Sequence, residues 1–300
     1  MTWRDREMTT HAPETARAVE PHPEPLCGPP VDPDGRPSGP GAPPPGAPAR
    51  TVPIVDVTVT PMDRDALLLR LAQEIASGGR VTVAGHNLHS AYLMRTEEPF
   101  RRFYEQAEVR LIDGMPLLVL LGLRAARDGR SRLGPRHRLG STDWVPQAVH
   151  LPAVRRLALL GASASSNAEA AERLSRSASR GTGGAVEVLS VPADPWAPED
   201  LDDVVARLSA FAPQILLIGM GMPLQEQIAV ALRARTEIPV IATVGGAIDQ
   251  ISGAQSLAPR WLGRAGLEWA WRLASDPRRF AGRYLVEPVR LARLILRGAA

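Results

Sequence analysis

The sequence predicts an α/β fold: a Rossmann-like, mostly parallel sheet with helices on both faces, followed by a C-terminal helical appendage. Three observations predict it. Short β-branched runs alternate with longer segments of helical period over most of the chain. Polar, glycine-rich loops follow the predicted strands. The first fifty residues show neither pattern, so the folded part is expected to begin near residue 52.

The N-terminal segment is rich in proline and has no hydrophobic period, since 13 of the 29 prolines lie before residue 51. Such a segment cannot bury enough apolar surface to offset its ordering entropy, which predicts a disordered tail over residues 1–51. It holds the only cysteine, Cys27, and lacks the apolar stretch of a signal peptide. The remainder is divided into an α/β core at residues 52–256 and the appendage at residues 257–300.

Strands and helices are predicted in alternation. The strand candidates are Pro53–Thr58, Val81–Ala84, Val109–Ile112, Leu157–Leu160, Val186–Val191, Ile215–Ile218 and Val240–Val244. The helix candidates are Asp63–Ala76, Leu88–Glu105, Asn167–Ser179, Pro198–Phe211 and Leu224–Arg235. The apolar stretch MPLLVLLGL is predicted to be a further helix of the core, because it is far shorter than the ~20 residues of a membrane span.

Ligands of such folds bind beyond the carboxyl ends of the strands, so the loops at that edge are the predicted site. In chain order they read AGHNLHS, DGMP, GASASSN, GMGMPLQEQ and VGGAIDQISG. Taken singly, each has a structural explanation: Asn87 fits a helix N-cap, and Gly219 and Gly221 fit a tight turn. Their convergence on one edge, with an arginine nearby, is typical of a site for a phosphate-bearing ligand.

Two residues stand out at that edge. Asp113, in LIDGMP, follows the buried run Val109–Ile112, where a carboxylate is either a turn device or a working group in a cleft. Arg138, in RLGSTDW, precedes a predicted helix with capping candidates at residues 141–143. An arginine held at that junction can reach the cleft.

The order and spacing of these motifs resemble the WecG/TagA/CpsF family of glycosyltransferases, from about residue 53 to about residue 285. The similarity rests on RLGSTD, LLGAS, PQILLIGMGMPLQE, VGGAIDQISG and GLEWAWRL, in that order. No single motif is decisive, but the combination of P-x-Q-E, G-G-A-x-D and G-L-E-W-x-x-R-L is specific.

The resemblance implies an inverting transfer of a sugar, of the N-acetylmannosamine type or a related hexose or uronate, from a UDP-sugar donor to a polyprenyl-diphosphate-linked acceptor. The product feeds a surface polysaccharide or cell-wall polymer, with neither a metal nor another cofactor. The enzyme is expected in the cytoplasm, peripheral at the inner face of the cell membrane, and self-association into a homo-oligomer is left open. By position, Asp113 is the general base. Contacts to the donor or acceptor fall on Asn87, Arg138, Gln225, Asp249, Arg272, Arg279 and Arg283.

Three positions depart from the family pattern. Gly85 stands where threonine is usual, Leu224 where lysine is usual, and Leu257 where arginine is usual. These changes bear on donor choice and on the level of activity. The retained asparagine, aspartate and glutamine still indicate an enzyme.

The residues fit this chemistry independently of the family. Inverting transfer needs a carboxylate that accepts the proton of the acceptor hydroxyl, and Asp113 at a strand end can do so. It also needs positive charge near the departing diphosphate, which arginines and helix N-termini supply. His86 and His89 flank Asn87 without a cysteine or paired carboxylates, so no metal site is predicted there.

The C-terminal VEPVRLARLILRG places Arg290, Arg293 and Arg297 on one helical face and apolar residues over the rest. Such a helix suits an anionic membrane surface, which is the interpretation we favour. A helix docked on the core, with its arginines in water, is the alternative.

Two other functions stay open on the residues alone. One is a dinucleotide-binding oxidoreductase of the doubly wound class, although no G-x-G-x-x-G fingerprint opens a strand–helix unit. The other is a non-catalytic peripheral adaptor, which would bind lipid without binding UDP. A thermal-shift comparison of UDP, UDP-sugars, NAD and NADP separates these functions. Nucleic-acid binding is disfavoured by the modest net charge of +3 and the aromatic content of 4%.

Overall fold

The computed structural model describes residues 48–129, 133–181, 184–259, 262 and 267–298. Its centre is a sheet of six parallel strands: β3 (Val81–His86), β4 (Val109–Ile112), β5 (Arg156–Gly161), β6 (Glu187–Val191), β7 (Ile215–Gly219) and β8 (Val240–Thr243). The strand order is β4-β3-β8-β7-β5-β6, with every pairing parallel. The predicted fold class is confirmed.

Helices cover both faces of the sheet. One face carries α1 (Arg64–Ser77), α5 (Ser141–Ala148), α6 (Ala164–Ser179) and α9 (Ala247–Ser252). The other carries α2 (Leu88–Thr96), α3 (Glu98–Gln106), α7 (Leu201–Phe211) and α8 (Leu224–Arg235). Strand residues alternate between the two cores, with Val83 on the first face and Ala84 on the second, as the two-residue period of a strand requires.

The cleft lies where the strand order of the parallel sheet reverses, between β3 and β8. β3 leads into α2 on one face, whereas its neighbour β8 leads into α9 on the other. Because two adjacent parallel strands send their connections to opposite faces, a crevice opens beyond their carboxyl ends. Gly85 and Asn87 line it from β3, and residues 243–246 line it from β8.

A helix at the sheet edge and a helical C-terminus complete the fold. α4 (Met115–Arg127) follows β4. The C-terminal segment, residues 267–298, contains α10 (Glu268–Ser275), α11 (Pro277–Ala281), a π-helical turn (Gly282–Val286) and α12 (Glu287–Gly298). Short 3-10 turns lie at Pro135–His137 and Pro198–Asp200. Among the described residues, no helix has the length and apolar character needed to cross a bilayer.

The stretch MPLLVLLGL is helical as predicted, but only one face of the helix is buried in the core. It lies within α4, where Leu117, Leu118 and Leu121 are buried. Val119 and Leu123, on the opposite face, are 51% and 65% exposed.

The predicted strand Pro53–Thr58 is wrong. Residues 53–56 form the turn of a hairpin between β1 (Arg50–Val52) and β2 (Val57–Val59). Pro53 has no N–H to donate to a strand ladder, and Ile54 and Asp56 adopt positive φ angles of 73° and 49°. The hairpin valines are buried in a core of their own with α4, which explains the apolar run.

The predicted end of the tail is also displaced. Arg50 and Thr51 pair with β2 and belong to the folded part. Residues 1–47 lie outside the described residues, so the disorder of the tail stays a prediction. The boundary between core and appendage at residue 256 likewise stays a prediction.

The predicted helix Leu88–Glu105 is two helices, α2 and α3. Pro99 lacks an N–H and clashes with the carbonyl four residues earlier, so α2 cannot continue through it. Glu97 is extended, and α3 begins at Glu98 with the proline in its first turn, where a missing donor does no harm. The other predicted strands and helices are confirmed to within about three residues at their ends.

A third core attaches the C-terminal segment to the body. Leu291 of α12 is 3% exposed and belongs to the cluster formed by β1, β2, α2 and α4. Ile295, one turn later, packs against the same cluster. α12 therefore docks through one face while Arg290, Arg293 and Arg297 stay exposed. Docking on the core thus leaves the arginine face accessible.

We expect Leu291→Ala to lower the free energy of unfolding by about 2–5 kcal/mol, because a buried leucine leaves a cavity when truncated. Urea denaturation measures the change. The matched control is Leu296→Ala in the same helix, where the side chain is 73% exposed and a surface change costs at most about 0.5 kcal/mol. Equal losses in the two variants would contradict the docking of α12 through Leu291.

Candidate functional site

The site is built where β3 and β4 end side by side. His86 pairs with Ile112 in the parallel register, and the next residues along each chain are Asn87 and Asp113. The N–H of Asp113 donates to the carbonyl of His86 at 2.9 Å, which closes the two strand ends together. Asn87 Nδ2 then donates to Asp113 Oδ2 at 3.2 Å. The two predicted site residues are in direct contact.

Asn87 serves the helix and the site at once. Its Oδ1 accepts from the backbone N–H groups of His89 and Ser90 at 3.0 and 3.1 Å, as an N-cap does. That fixes the orientation of the amide, so Nδ2 must face the carboxylate of Asp113. The N-cap interpretation is confirmed, and a contact from Asn87 to a substrate stays a prediction.

Arg138 is brought to the same edge by a short extension of the sheet. The N–H of Leu139 donates to the carbonyl of Ile112 at 2.8 Å, which runs this segment beside the end of β4. Asp143 then caps α5, since the N–H of Gly140 donates to its Oδ2 at 2.9 Å. The same carboxylate lies 3.5 Å from Arg138 Nη2. Burial raises the pKa of Asp143.

Two glycines leave room around the carboxylate of Asp113. A Cβ on Gly140 would stand 3.1 Å from Asp113 Oδ1, and a Cβ on Gly85 would stand 3.3 Å from Asp113 Cβ. Either side chain would crowd the carboxylate. The glycine at position 85, one of the departures from the family pattern, therefore leaves an open volume beside Asp113.

Two cavities meet at Asp113. The larger, about 390 Å³, is polar and lies in the crevice between β3 and β8, where the first turn of α5 and several glycines line it. The smaller, about 240 Å³, is mostly apolar and is lined by Met115, Pro116, Trp269, Tyr284 and Pro288. The residues that line both are Asn87, His89, Asp113, Arg138, Glu268, Arg272 and Arg283.

Gln225 lines the larger cavity and is almost fully buried. Its Oε1 accepts from the N–H of Gly245 at 3.0 Å, which fixes the loop after β8, and its Nε2 donates to Glu226 Oε1 at 2.7 Å. Glu226 Oε2 has no hydrogen-bond partner although it is buried. Burial raises the pKa of Glu226 to about 7.

Asp249 is not brought to either cavity. Its Oδ1 accepts from the Ser166 hydroxyl at 2.6 Å, and this contact joins α9 to α6 beneath the loop. In the structure its contacts are those of a support for the loop. A substrate contact from Asp249 stays a prediction.

The C-terminal segment closes over the cleft. Arg272 and Arg283 line both cavities, and their contacts to a substrate stay predictions. Arg279 lies in α11, but its side chain is outside the described residues. The segment also contributes Glu268, which contacts Arg138 Nη1 at 3.3 Å and Arg272 Nη2 at 2.8 Å.

Sequence reasoning missed Glu268, Tyr284 and the buried Glu226. Each lies in or beside a motif of the family resemblance: Glu268 lies in GLEWAWRL, Glu226 ends P-x-Q-E, and Tyr284 follows Arg283. The motifs therefore carried the signal. Only the fold shows which of their side chains reach the cleft.

His86 and His89 have structural partners. His86 is fully buried, stacks on Tyr104 at 4.1 Å, and lies 3.0 Å from Ser90 Oγ through Nδ1. Burial, aided by the charge of Arg110, lowers the pKa of His86 to about 3. His89 pairs with Glu287 of α12 at 2.5 Å. Neither imidazole stands in a group of potential metal ligands among the described residues.

Comparison with known proteins bears on the family of the chain. The sequence model of the glycosyl transferase WecG/TagA/CpsF family matches residues 52–300. The chain is 34% identical over 82 residues to an N-acetylglucosaminyldiphosphoundecaprenol N-acetyl-beta-D-mannosaminyltransferase of Staphylococcus aureus strain MW2. The match to the protein of that name from strain NCTC 8325 is of the same extent. It covers 27% of this chain and 32% of each relative, so the chain spans about a third of the length of the relatives it matches.

The buried carboxylate of Glu226 predicts a pH effect on stability. Its folded pKa of about 7 lies above the ordinary glutamate pKa of 4.5, so folding favours the protonated form. The stabilisation is complete below about pH 4.5 and is lost as the pH rises through 7. A shift of this size corresponds to about 3 kcal/mol. Glu226→Gln should therefore gain up to that much stability relative to the wild type between pH 4.5 and pH 8.

Urea denaturation across this pH range measures the effect. Gln225 faces Glu226 directly, and Arg283 and Glu97 also act on its charge. The control is Glu199→Gln, an exposed glutamate ahead of α7, which should follow the wild type at each pH. If the free energies of unfolding of Glu226→Gln and the wild type differ by the same amount at every pH, the pKa of this carboxyl is the same in the folded and unfolded chain and the prediction is wrong.

Proposed function

The chain belongs to the WecG/TagA/CpsF glycosyltransferase family, and we propose that it is an inverting transferase for a UDP-linked sugar. The sugar is of the N-acetylmannosamine type or a related hexose or uronate. The acceptor is a sugar carried on a polyprenyl diphosphate, and the product enters a surface polysaccharide or cell-wall polymer. The names of the matched relatives support this donor sugar and this acceptor.

The observation that carries the proposal is the meeting of two unlike cavities at one carboxylate. The larger, polar cavity occupies the crevice where nucleotide ligands of doubly wound sheets bind. The smaller, largely apolar cavity suits an acceptor that arrives attached to lipid. Asp113 lines both, so a donor in one and an acceptor in the other would meet beside it.

The reaction then needs few groups. The acceptor hydroxyl oxygen forms a bond to the anomeric carbon of the donor, while the bond from that carbon to the diphosphate oxygen breaks. Asp113 takes the proton of the hydroxyl as the new bond forms. The hydrogen bond from Asn87 Nδ2 holds one carboxylate oxygen in place, which leaves the other to face the acceptor.

The leaving diphosphate develops negative charge that the cleft must offset. Arg138 comes from the body, and Arg272 and Arg283 come from the C-terminal segment. With the C-terminal segment docked, these charges are held at the cavity walls, and preorganised charge of this kind stabilises a transition state effectively.

Asp113→Asn tests the proposal. A general base is worth about 10²–10⁴-fold in rate, so transfer should fall by that factor while UDP binding and thermal unfolding stay unchanged. The assay offers a series of UDP-sugars with a polyprenyl-diphosphate-GlcNAc analogue and detects the product by mass spectrometry. Asp128→Asn, at the far end of α4, is the control with the same chemical change.

Two outcomes would contradict the proposal. Transfer by Asp113→Asn at the wild-type rate would reduce Asp113 to a turn residue. Binding of NAD or NADP in preference to UDP would favour a dinucleotide-dependent oxidoreductase.

The proposal includes a peripheral site at an anionic membrane. Arg290, Arg293 and Arg297 are exposed on α12, alongside the exposed apolar side chains of Val289 and Leu296. A basic and apolar face of this kind binds the interfacial layer of a bilayer. The bilayer is also where a lipid-linked acceptor resides, so this face would hold the cleft near its substrate.

Replacing all three arginines with glutamine should weaken binding to anionic vesicles about a hundredfold, since each arginine near the surface contributes about 1 kcal/mol. Vesicle sedimentation measures the binding. The control replaces Arg176, Arg180 and Arg207, which are exposed at α6 and α7 and carry the same total charge. If both triple variants sediment alike, the membrane part of the proposal fails.

A further inference from the structure

Two carboxylates of the C-terminal segment contact the body across the cleft. Glu287 of α12 pairs with His89 of α2 at 2.5 Å. Glu268, at the start of α10, pairs with Arg138 at 3.3 Å. Both carboxylates are partly buried, with 20% and 28% of their side chains exposed. Each of them therefore joins the segment to the body.

Glu268 does more than join them. Its Oε2 contacts Arg138, and its Oε1 contacts Arg272 at 2.8 Å. One of these arginines belongs to the body and the other to the segment. Two guanidinium groups repel each other when they are brought together, and a carboxylate between them offsets that repulsion. Glu287, by comparison, pairs with the imidazole of His89 and, within the described part of the chain, with no arginine.

The two arginines line the same cavities as Asp113. Arg138, Arg272 and Glu268 all line both cavities together with Asp113. The side chains of Arg138 and Arg272 are 17% and 25% exposed. Each is thus held at the cleft wall, where few solvent molecules compete for it. An arginine side chain has considerable rotamer entropy, so a carboxylate that pairs with its guanidinium favours one orientation.

We propose that Glu268 is a positioning residue that holds Arg138 and Arg272 as one cationic pair for the diphosphate of a sugar nucleotide. The inference rests on the proposed function and adds how its leaving-group site is assembled. Half of the pair arrives with the C-terminal segment, so the diphosphate site is complete only when that segment is docked. Glu268 acts through the two arginines and does not touch the reacting atoms.

If Glu268 competed with the nucleotide, removing its charge would change the binding affinity in the opposite direction. A carboxylate between two arginines could compete with the diphosphate, and removing its charge would then strengthen nucleotide binding. A positioning role requires that binding weakens, because the arginines lose their common partner. The sign of one binding change separates the two.

The test compares Glu268→Gln, Glu268→Asp and Glu287→Gln in the full chain. Isothermal titration with UDP and with inorganic pyrophosphate reads the diphosphate site without turnover, and transfer kinetics give kcat and KM for the donor. We expect Glu268→Gln to weaken UDP and pyrophosphate about tenfold and to lower kcat as well. Glu268→Asp keeps the charge and should recover part of both. Glu287→Gln should weaken both ligands much less.

Three outcomes would overturn the proposal: tighter UDP binding by Glu268→Gln, unchanged binding, or equal losses in Glu268→Gln and Glu287→Gln. Equal losses would mean that Glu268 only docks the segment. Thermal unfolding of each variant excludes a folding defect as the cause, and recovery in Glu268→Asp would exclude it a second time. A wild-type chain that binds pyrophosphate but not UDP would defeat the proposed donor, while the same variants would still decide the role of Glu268 with pyrophosphate.

Discussion

The parallel pairing of β3 with β4 on one side and with β8 on the other is the constraint on which the site depends. Parallel strands end at the same edge, so pairing with β4 places Asn87 beside Asp113. Pairing with β8 has a different effect, because the two strands send their helices to opposite faces and a crevice opens between them. A shift of one residue in either register would turn the side chains of β3 to the wrong face. Sheet geometry therefore places the acidic group and the crevice together before any substrate is considered.

Single side chains at this edge engage two different partners through the two ends of one amide. Asn87 caps α2 with its oxygen and holds Asp113 with its nitrogen, so the capping bond sets which half of the amide faces the cleft. Gln225 works in the same way, since its oxygen fixes the loop at Gly245 while its nitrogen contacts buried Glu226. In Asn87, for example, the oxygen stabilises the helix and the nitrogen contacts the carboxylate in the cleft, so the two atoms have different roles. A side chain with both partners engaged is also rigid, which suits a site that must be ordered before substrate binds.

Most of the fold could be predicted from the sequence, because buried parallel strands and helices with one apolar face leave strong periodic patterns. The hairpin at residues 50–59 could not, since its valines are buried against helices outside the sheet and imitate a sheet strand. The placement of Asn87 and Asp113 at one edge could be predicted because loops after parallel strands converge, whereas Arg138 follows α4 and reaches that edge through the segment that runs beside Ile112. Long-range side-chain contacts leave no period, so neither the pairing of Glu268 with Arg138, 130 residues apart, nor the engagement of Asp249 by Ser166 was visible.

The division of the cleft between the body and the C-terminal segment has a consequence for how the molecule works. The body supplies the carboxylate of Asp113 and one arginine, whereas the segment supplies two arginines and the apolar wall of Trp269, Tyr284 and Pro288. Among the described residues, the segment contacts the body through Leu291 and Ile295 in the third core and through the two ion pairs of Glu268 and Glu287. Docking through these contacts brings Arg272 and Arg283 to the cavity walls that Asp113 and Arg138 also form. A surface that binds the same segment from outside would then favour the assembled cleft, and the basic face of α12 is the part of the segment placed to receive it.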